Sequence, residues 1–181
     1  MQIPETCRMI YVLAYPKLEA KISRSLAAFR QMHEPERAQL VAPHITLVFG
    51  VRKSSPEEIA AICDQVASKT SAISTEFSKS EICYDPFEKV HKISLLCTKG
   101  AKQLTALHRD LYEGPHSDEF DTDIPFRPHM TVGANSNLSE LEDVSLASIG
   151  TLPITAEIDS LSVVQIANRE LQTICSVKLS M

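Results

Sequence analysis

Two short segments of this 181-residue chain repeat one arrangement of residues suited to proton transfer, Pro43-His44-Ile45-Thr46-Leu47 and Pro128-His129-Met130-Thr131-Val132. Each spells proline, histidine, apolar, threonine, apolar. With positions treated as independent, two such pentads arise by chance on the order of once in 10⁵ chains, well below the false-match rate of ordinary short motifs. One neutral imidazole can take a proton from an attacking water or alcohol, while a second, protonated, gives one to a departing oxygen. With reference values near 6.5, both states are accessible near neutral pH without large tuning. The threonine hydroxyls can donate to phosphate oxygens as negative charge builds. The constellation suits attack on a phosphodiester and needs no cofactor.

Other ligand sets fit less well. Zinc takes imidazole readily, but no third His, Cys or carboxylate stands at a recognisable ligand spacing, so no metal site is assigned. His33, His91, His108 and His116 lack the motif and read as structural or exposed. Arg127, two residues before His129, has two equal readings: a phosphate clamp on the same strand face, or a surface ion pair with the acidic cluster Asp118, Glu119, Asp121 and Asp123. That cluster reads most simply as a solvated loop. Tyr11 and Phe49 could stack on a base, although Phe49 fits a core position better. Arg52 and Lys53 read as solvated. None of the five glycines forms a phosphate-cradling loop, so no nucleoside triphosphate site is assigned.

The spacing within each pentad fits a strand. Alternation sends His44 and Thr46 to one face and Ile45 and Leu47 to the other, and likewise His129 and Thr131 against Met130 and Val132. Proline fits a strand's first position, where no ladder N–H is required. Around the first pentad, a strand is expected at Cys7–Tyr15 and a helix at Lys17–Met32, with Leu18, Ile22, Leu26 and Phe29 on one face. A helix starts at Ser54-Ser55-Pro56-Glu57-Glu58, signalled by a hydroxyl cap, proline in the first turn and early carboxylates. Its buried stripe is Ile59, Ile62 and Val66, and a strand near Glu76–Tyr84 closes the half. The second half repeats this order. A strand at Lys92–Thr98 precedes a helix at Ala101–Tyr112 with Leu104, Leu107 and Leu111 inward. The strand His129–Ala134 follows, then a short helix capped near Ser136 or Asn137 and strands near Ile154–Ile166 and Leu171–Leu179. The reading is a single domain over 1–181 with two lobes, about 1–86 and 87–181, divided at Asp85-Pro86-Phe87-Glu88, with strands free to exchange between them. This order supports an α+β or α/β two-lobed fold with two sheets and outer helices.

The two pentads, and the stretch PHITLVFG from Pro43 to Gly50 in particular, resemble the paired motifs of the two-histidine (2H) phosphoesterase superfamily, in its RNA 2′,5′-ligase and cyclic phosphodiesterase branch. The resemblance implies an α+β bilobal fold with two pseudo-symmetric antiparallel-type sheets and a central groove. It implies His44 and His129 as catalytic groups, Thr46 and Thr131 as phosphate-binding groups, and RNA processing as the setting. Substrates would be 2′,3′-cyclic phosphate ends, 2′,5′-linked nucleotides or ADP-ribose cyclic phosphate. In hydrolysis, His129 would act as base toward water and His44 as acid toward the leaving oxygen. An inactive binder of nucleotides or RNA ends, or an esterase on a non-nucleotide phosphodiester, are the alternatives.

Composition narrows the partners. A net charge of −5 with no basic stripe argues against gripping a long duplex, so a small nucleotide or an RNA terminus is expected. No segment approaches the roughly 18 unbroken apolar residues of a membrane span, and the N-terminus does not read as a signal peptide. Five scattered cysteines, Cys7, Cys63, Cys83, Cys97 and Cys175, without a CxxC pair, read as reduced and buried in a cytoplasmic, monomeric protein.

Overall fold

The computed structural model describes residues 9–180. Cys7 and the start of the first expected strand lie outside them. Two antiparallel sheets form the frame. In chain order, β1 (Met9–Ala14) and the two-residue β2 (Lys17–Leu18) precede α1 (Ala20–His33) and α2 (Pro35–Leu40). Then come β3 (Ile45–Val51), α3 (Pro56–Ala67), β4 (Ile73–Asp85), β5 (Val90–Lys99) and α4 (Ala101–Leu111). The chain ends with β6 (His129–Asn135), α5 (Ser139–Glu142), β7 (Ile154–Ile158), β8 (Ser160–Ala167) and β9 (Glu170–Lys178).

One sheet has the order β3-β1-β8-β9 and the other β2-β7-β4-β5-β6. Read outward from the motif strands, β3-β1-β8-β9 matches β6-β5-β4-β7. In each, the motif strand pairs with the first strand of its own repeat, and the next place goes to a strand from the other half. The expected break at Asp85–Glu88 is therefore a hairpin turn inside one sheet, since β4 and β5 pair along their length from Glu76↔Lys99 to Asp85↔Val90. Asp85 closes that turn by accepting from the N–H groups of Phe87 (2.8 Å) and Glu88 (3.1 Å). The exchange of β4 and β8 ties the two halves together.

Local signals explain most boundaries. Ser55 accepts from the Glu58 N–H at 3.2 Å while the Glu58 carboxylate accepts from the Ser55 N–H at 2.7 Å, a complete capping box with Pro56 at the first helical position. The side chains fully buried along α3 are Ile59, Cys63 and Ala67, with Ile62 and Val66 at the margin of the stripe. Leu18 belongs to β2 and not to α1, whose start is displaced to Ala20 because Lys17–Leu18 pairs with Glu157 and Ala156 of β7. Gly100 joins β5 to α4 with φ +83°, and a Cβ there would stand 2.7 Å from the Ser74 carbonyl oxygen, so only glycine fits.

The main apolar core runs between the sheets and helices and includes Leu26, Phe29, Leu95, Leu104, Leu107 and Leu111, and a smaller cluster gathers Leu13, Val41 and Val164. Ile45, Leu47, Met130 and Val132, the apolar members of both pentads, are all 0% exposed within it. Removing these side chains from water is what fixes which face of β3 and β6 points inward. Among the described residues, no helix is long and apolar enough to cross a membrane.

Candidate active site

β3 and β6 are edge strands of different sheets and come into contact with each other. This contact brings His44, one residue before β3, and His129, the first residue of β6, together from opposite halves of the chain. The two rings are held alike. His44 Nδ1 lies 2.8 Å from the Ala42 carbonyl oxygen, and His129 Nδ1 lies 2.7 Å from that of Arg127. A carbonyl only accepts, so each Nδ1 carries the proton and each Nε2 is left as the basic atom.

The threonines are matched as well. Thr46 stands opposite Leu13 of β1, and Thr131 opposite Ser94 of β5. In each ladder the residue after the threonine is an unpaired extra. Leu13↔Thr46 is followed by Val12↔Val48, which leaves out Leu47, and Ser94↔Thr131 by Ile93↔Gly133, which leaves out Val132. A bulge bends a strand and re-aims its side chains. The freed Leu47 carbonyl accepts from His108 Nδ1 at 2.6 Å. His108, expected at a helix edge, is 5% exposed and stacked on Phe126 at 3.9 Å, where it pins the first bulge.

The local field opposes protonation of both imidazoles. Burial pushes His44 down to about 4; the Ala42 carbonyl pulls the other way, while Arg30, Arg37 and His129 itself add positive charge against a second proton. His129 is lowered too, first by burial, with the Arg127 carbonyl opposing and Lys92 adding to the effect. Both rings are therefore neutral at pH 7 in the free protein. This departs from the expectation of two groups titrating close to their reference value.

Behind His44 lies an ionic network that sequence reasoning missed. Arg30, 2% exposed, donates to the Glu34 carboxylate and, at 2.8 Å, to the Val41 carbonyl, three residues before His44. Arg37 joins Glu34 to Glu88, and Lys92 reaches Asp85 at 2.5 Å and Glu88 at 2.8 Å. The network thus ties α1 and α2 to the β4–β5 hairpin. Its sequence signal was an Arg–Glu pair four residues apart, with Arg30 beside Leu26 and Phe29 on the buried stripe of α1.

Other expected residues fall where geometry separates their alternatives. Arg127 is 57% exposed at its side chain and pairs with Glu81 of β4, not with the acidic cluster. That cluster is not merely solvated: Glu119 accepts from the Arg52 and Lys53 N–H groups, and Asp118 pairs with the Lys53 side chain. Phe49 is 48% exposed and so is not core, with edge contacts to His108 and Phe126. Tyr11 shares a sheet face with Leu13 and is half-buried, and the Tyr15 ring stands edge-on to His44 with centroids 6.2 Å apart. His116 is fully buried, between Ser54 Oγ and the Leu111 carbonyl, each at 2.9 Å. Cys63 and Cys97 are buried, Cys175 is half-buried and Cys83 is exposed. Among the described residues, no group of three or more His, Cys, Asp or Glu is placed to hold a metal ion.

Residues 18–170 match the model of the 2′-5′ RNA ligase superfamily. The fold is similar to that of E. coli LigT complexed with 3′-AMP, with a TM-score of 0.60 and 16% identity over 96% of this chain and 99% of that one. LigT complexed with NADP+ gives a TM-score of 0.61 at 14% identity over the same shares. Usb1 of Kluyveromyces marxianus gives 0.55 at 9% identity, over 94% of this chain and 99% of that one. These likenesses carry the fold alone. No curated protein sequence matches the chain.

Proposed function

The chain belongs to the 2′-5′ RNA ligase superfamily, a group of two-histidine phosphoesterases and ligases, and from that premise we propose that it is a metal-independent phosphodiesterase acting on 2′,3′-cyclic phosphate or 2′,5′-linked nucleotide ends. The observation that carries this reading is the matched pair of Nδ1–H bonds to carbonyls, which leaves two Nε2 atoms, each with a threonine hydroxyl two residues on, at the meeting of β3 and β6. Such a pair can move one proton in and one out as the P–O bonds exchange. The threonine hydroxyls supply donors to the non-bridging oxygens. LigT was solved complexed with 3′-AMP and with phosphate, which supports a nucleotide phosphate as the class of ligand.

The unequal depression of the two histidines favours a division of labour opposite to that drawn from resemblance. His44 is held down to about 4, and His129 is lowered less, so a single proton shared by the pair resides on His129. In hydrolysis of a cyclic phosphate, neutral His44 then takes the proton from water, and His129 gives its proton to the departing ribose oxygen. In transesterification the 5′-hydroxyl of a second RNA end takes the place of water. His44 takes its proton, its oxygen bonds to phosphorus, and the 3′-oxygen leaves with the proton of His129, forming a 2′,5′ linkage with no nucleoside triphosphate consumed. Cleavage of that linkage runs the same step backward with the roles exchanged. Arg127, exposed and two residues before His129, is the further phosphate-binding group of this reading, exchanging its ion pair with Glu81 for one with the substrate. The working form is a cytoplasmic monomer.

The test is a hydrolysis panel in EDTA with 2′,3′-cyclic nucleotides, 2′,5′-oligoadenylate and ADP-ribose cyclic phosphate. Turnover of at least one of them under chelation is expected. Activity that vanishes and returns only with added zinc or magnesium would overturn the metal-independent reading. Tight binding without turnover would favour the alternative of an inactive binding module.

A further inference from the structure

A cavity of about 540 Å³ opens beside His129, between α4 and the segment leading into β6. That volume falls within the range of small-ligand sites. Its rim carries four cations, Lys79, Lys102, Arg109 and Arg127, and its floor is apolar, with Leu96 and Phe126. For a chain of net charge −5 this is a marked local concentration of positive charge. Arg109 and Arg127 are paired with Asp110 and Glu81, which stand outside the lining, while among the described residues neither Lys79 nor Lys102 has an ion-pair partner, so the two lysines supply the free positive charge. The ladder places it against the motif: Leu96 is directly opposite His129, and Lys79 directly opposite Leu96. Directly opposed residues share a sheet face, so His129, Leu96 and Lys79 lie in a row. At one strand spacing per step, Lys79 stands on the order of 10 Å from His129.

We propose that this cavity binds the neighbouring nucleotide of the substrate, its phosphate on the cationic rim and its base over the apolar floor. The substrate class is then an oligonucleotide end, not an isolated cyclic mononucleotide. The inference rests on the phosphodiesterase reading only in placing the scissile phosphate at the two histidines. Cations beside the reacting centre let binding energy from a non-reacting part of the substrate be used at the reacting part. The apolar floor suits a base because every base has a π-face and an apolar edge. The rest of the acidic surface repels a long polyanion, which limits engagement to a terminus.

Two measurements test this. In the first, fluorescence anisotropy follows a 5′-fluorescein-labelled RNA tetranucleotide with a 3′-phosphate. The Lys79→Ala/Lys102→Ala double variant should bind roughly tenfold more weakly, the order expected for two exposed charge-assisted contacts. Its log–log salt slope should be shallower by about 0.7, from one lost single-strand phosphate contact. Both lysines are exposed, so folding is not at stake, and Lys178→Ala, on β9, controls for lost charge alone. In the second, wild-type kcat/KM should favour a dinucleotide bearing a terminal 2′,3′-cyclic phosphate over the matching mononucleotide by roughly tenfold, and the double variant should bring that ratio toward one. Wild-type affinity and salt slope in the double variant, or a wild-type ratio of one, would overturn the proposal. If no cyclic phosphate is turned over at all, the catalytic reading fails while the anisotropy arm still decides the binding site.

Discussion

His44 and His129 are held by the same bond in the two halves of the molecule: each Nδ1 sits within 2.8 Å of the carbonyl oxygen two residues before it, at Ala42 and at Arg127. A carbonyl at that distance fixes both the tautomer and the ring plane. Each Nε2 is thereby prepared for proton transfer without reorganisation at the moment of reaction. Replacing either histidine by alanine should lower kcat/KM roughly 10²–10⁴-fold, the range of a general acid or base. Thr46→Ala and Thr131→Ala should cost less, since each removes one of several donors. Steady-state kinetics on a cyclic phosphate substrate checks both, and a histidine variant within a few-fold of wild type would remove that ring from the mechanism.

The pH dependence follows from the sign of the two shifts. Burial lowers both histidines, His44 to about 4. The free enzyme is competent when the pair holds one proton, so kcat/KM should trace a bell whose maximum lies on the acid side of neutrality. Activity should fall as pH rises through the His129 value and as it drops below that of His44. A bound phosphate anion favours the protonated ring, so the kcat profile should be displaced to higher pH than that of kcat/KM. Coincident profiles centred above pH 7 would contradict this electrostatic picture.

The leaving group separates the two roles. A nitrophenyl phosphodiester expels an oxygen that needs no proton. With His129 as the acid, His129→Ala should recover most of its loss on that substrate while His44→Ala does not. The reverse pattern would return the roles to the order first drawn from resemblance.

The buried Arg30–Glu34 pair should matter for stability more than any surface ion pair. Arg30→Met leaves the Glu34 carboxylate buried and removes the donor to the Val41 carbonyl. Losing one partner of a buried pair typically costs about 3–5 kcal/mol. Denaturant unfolding should show a loss of that order, and the double variant Arg30→Met/Glu34→Leu should regain part of it, because no uncompensated charge remains. Equal stability of the single variant and wild type would mean that Glu34 is already neutral; burial does push its carboxyl upward.

Features that depend on neighbours along the chain were legible in the order of residues. The capping box at Ser55 and Glu58, the inward leucines of α4, and the alternation that buries Ile45, Leu47, Met130 and Val132 are all local patterns, and the fold follows them. Features that depend on partners distant in sequence emerged only in the folded molecule. Arg127 met Glu81, 46 positions away, instead of the nearer acidic cluster, and Lys17–Leu18 left the expected helix to pair with β7. The turn at Asp85–Glu88 became a hairpin, and β4 and β8 crossed between halves, because strand pairing is set by burial of whole faces and not by order along the chain. The bulges at Leu47 and Val132 appear only once a partner strand sets the count. The depression of both histidines has the same origin. An isolated pentad titrates near the reference value, and only the enclosure of two edge strands, with Arg30, Arg37 and Lys92 brought close, makes protonation of either ring costly.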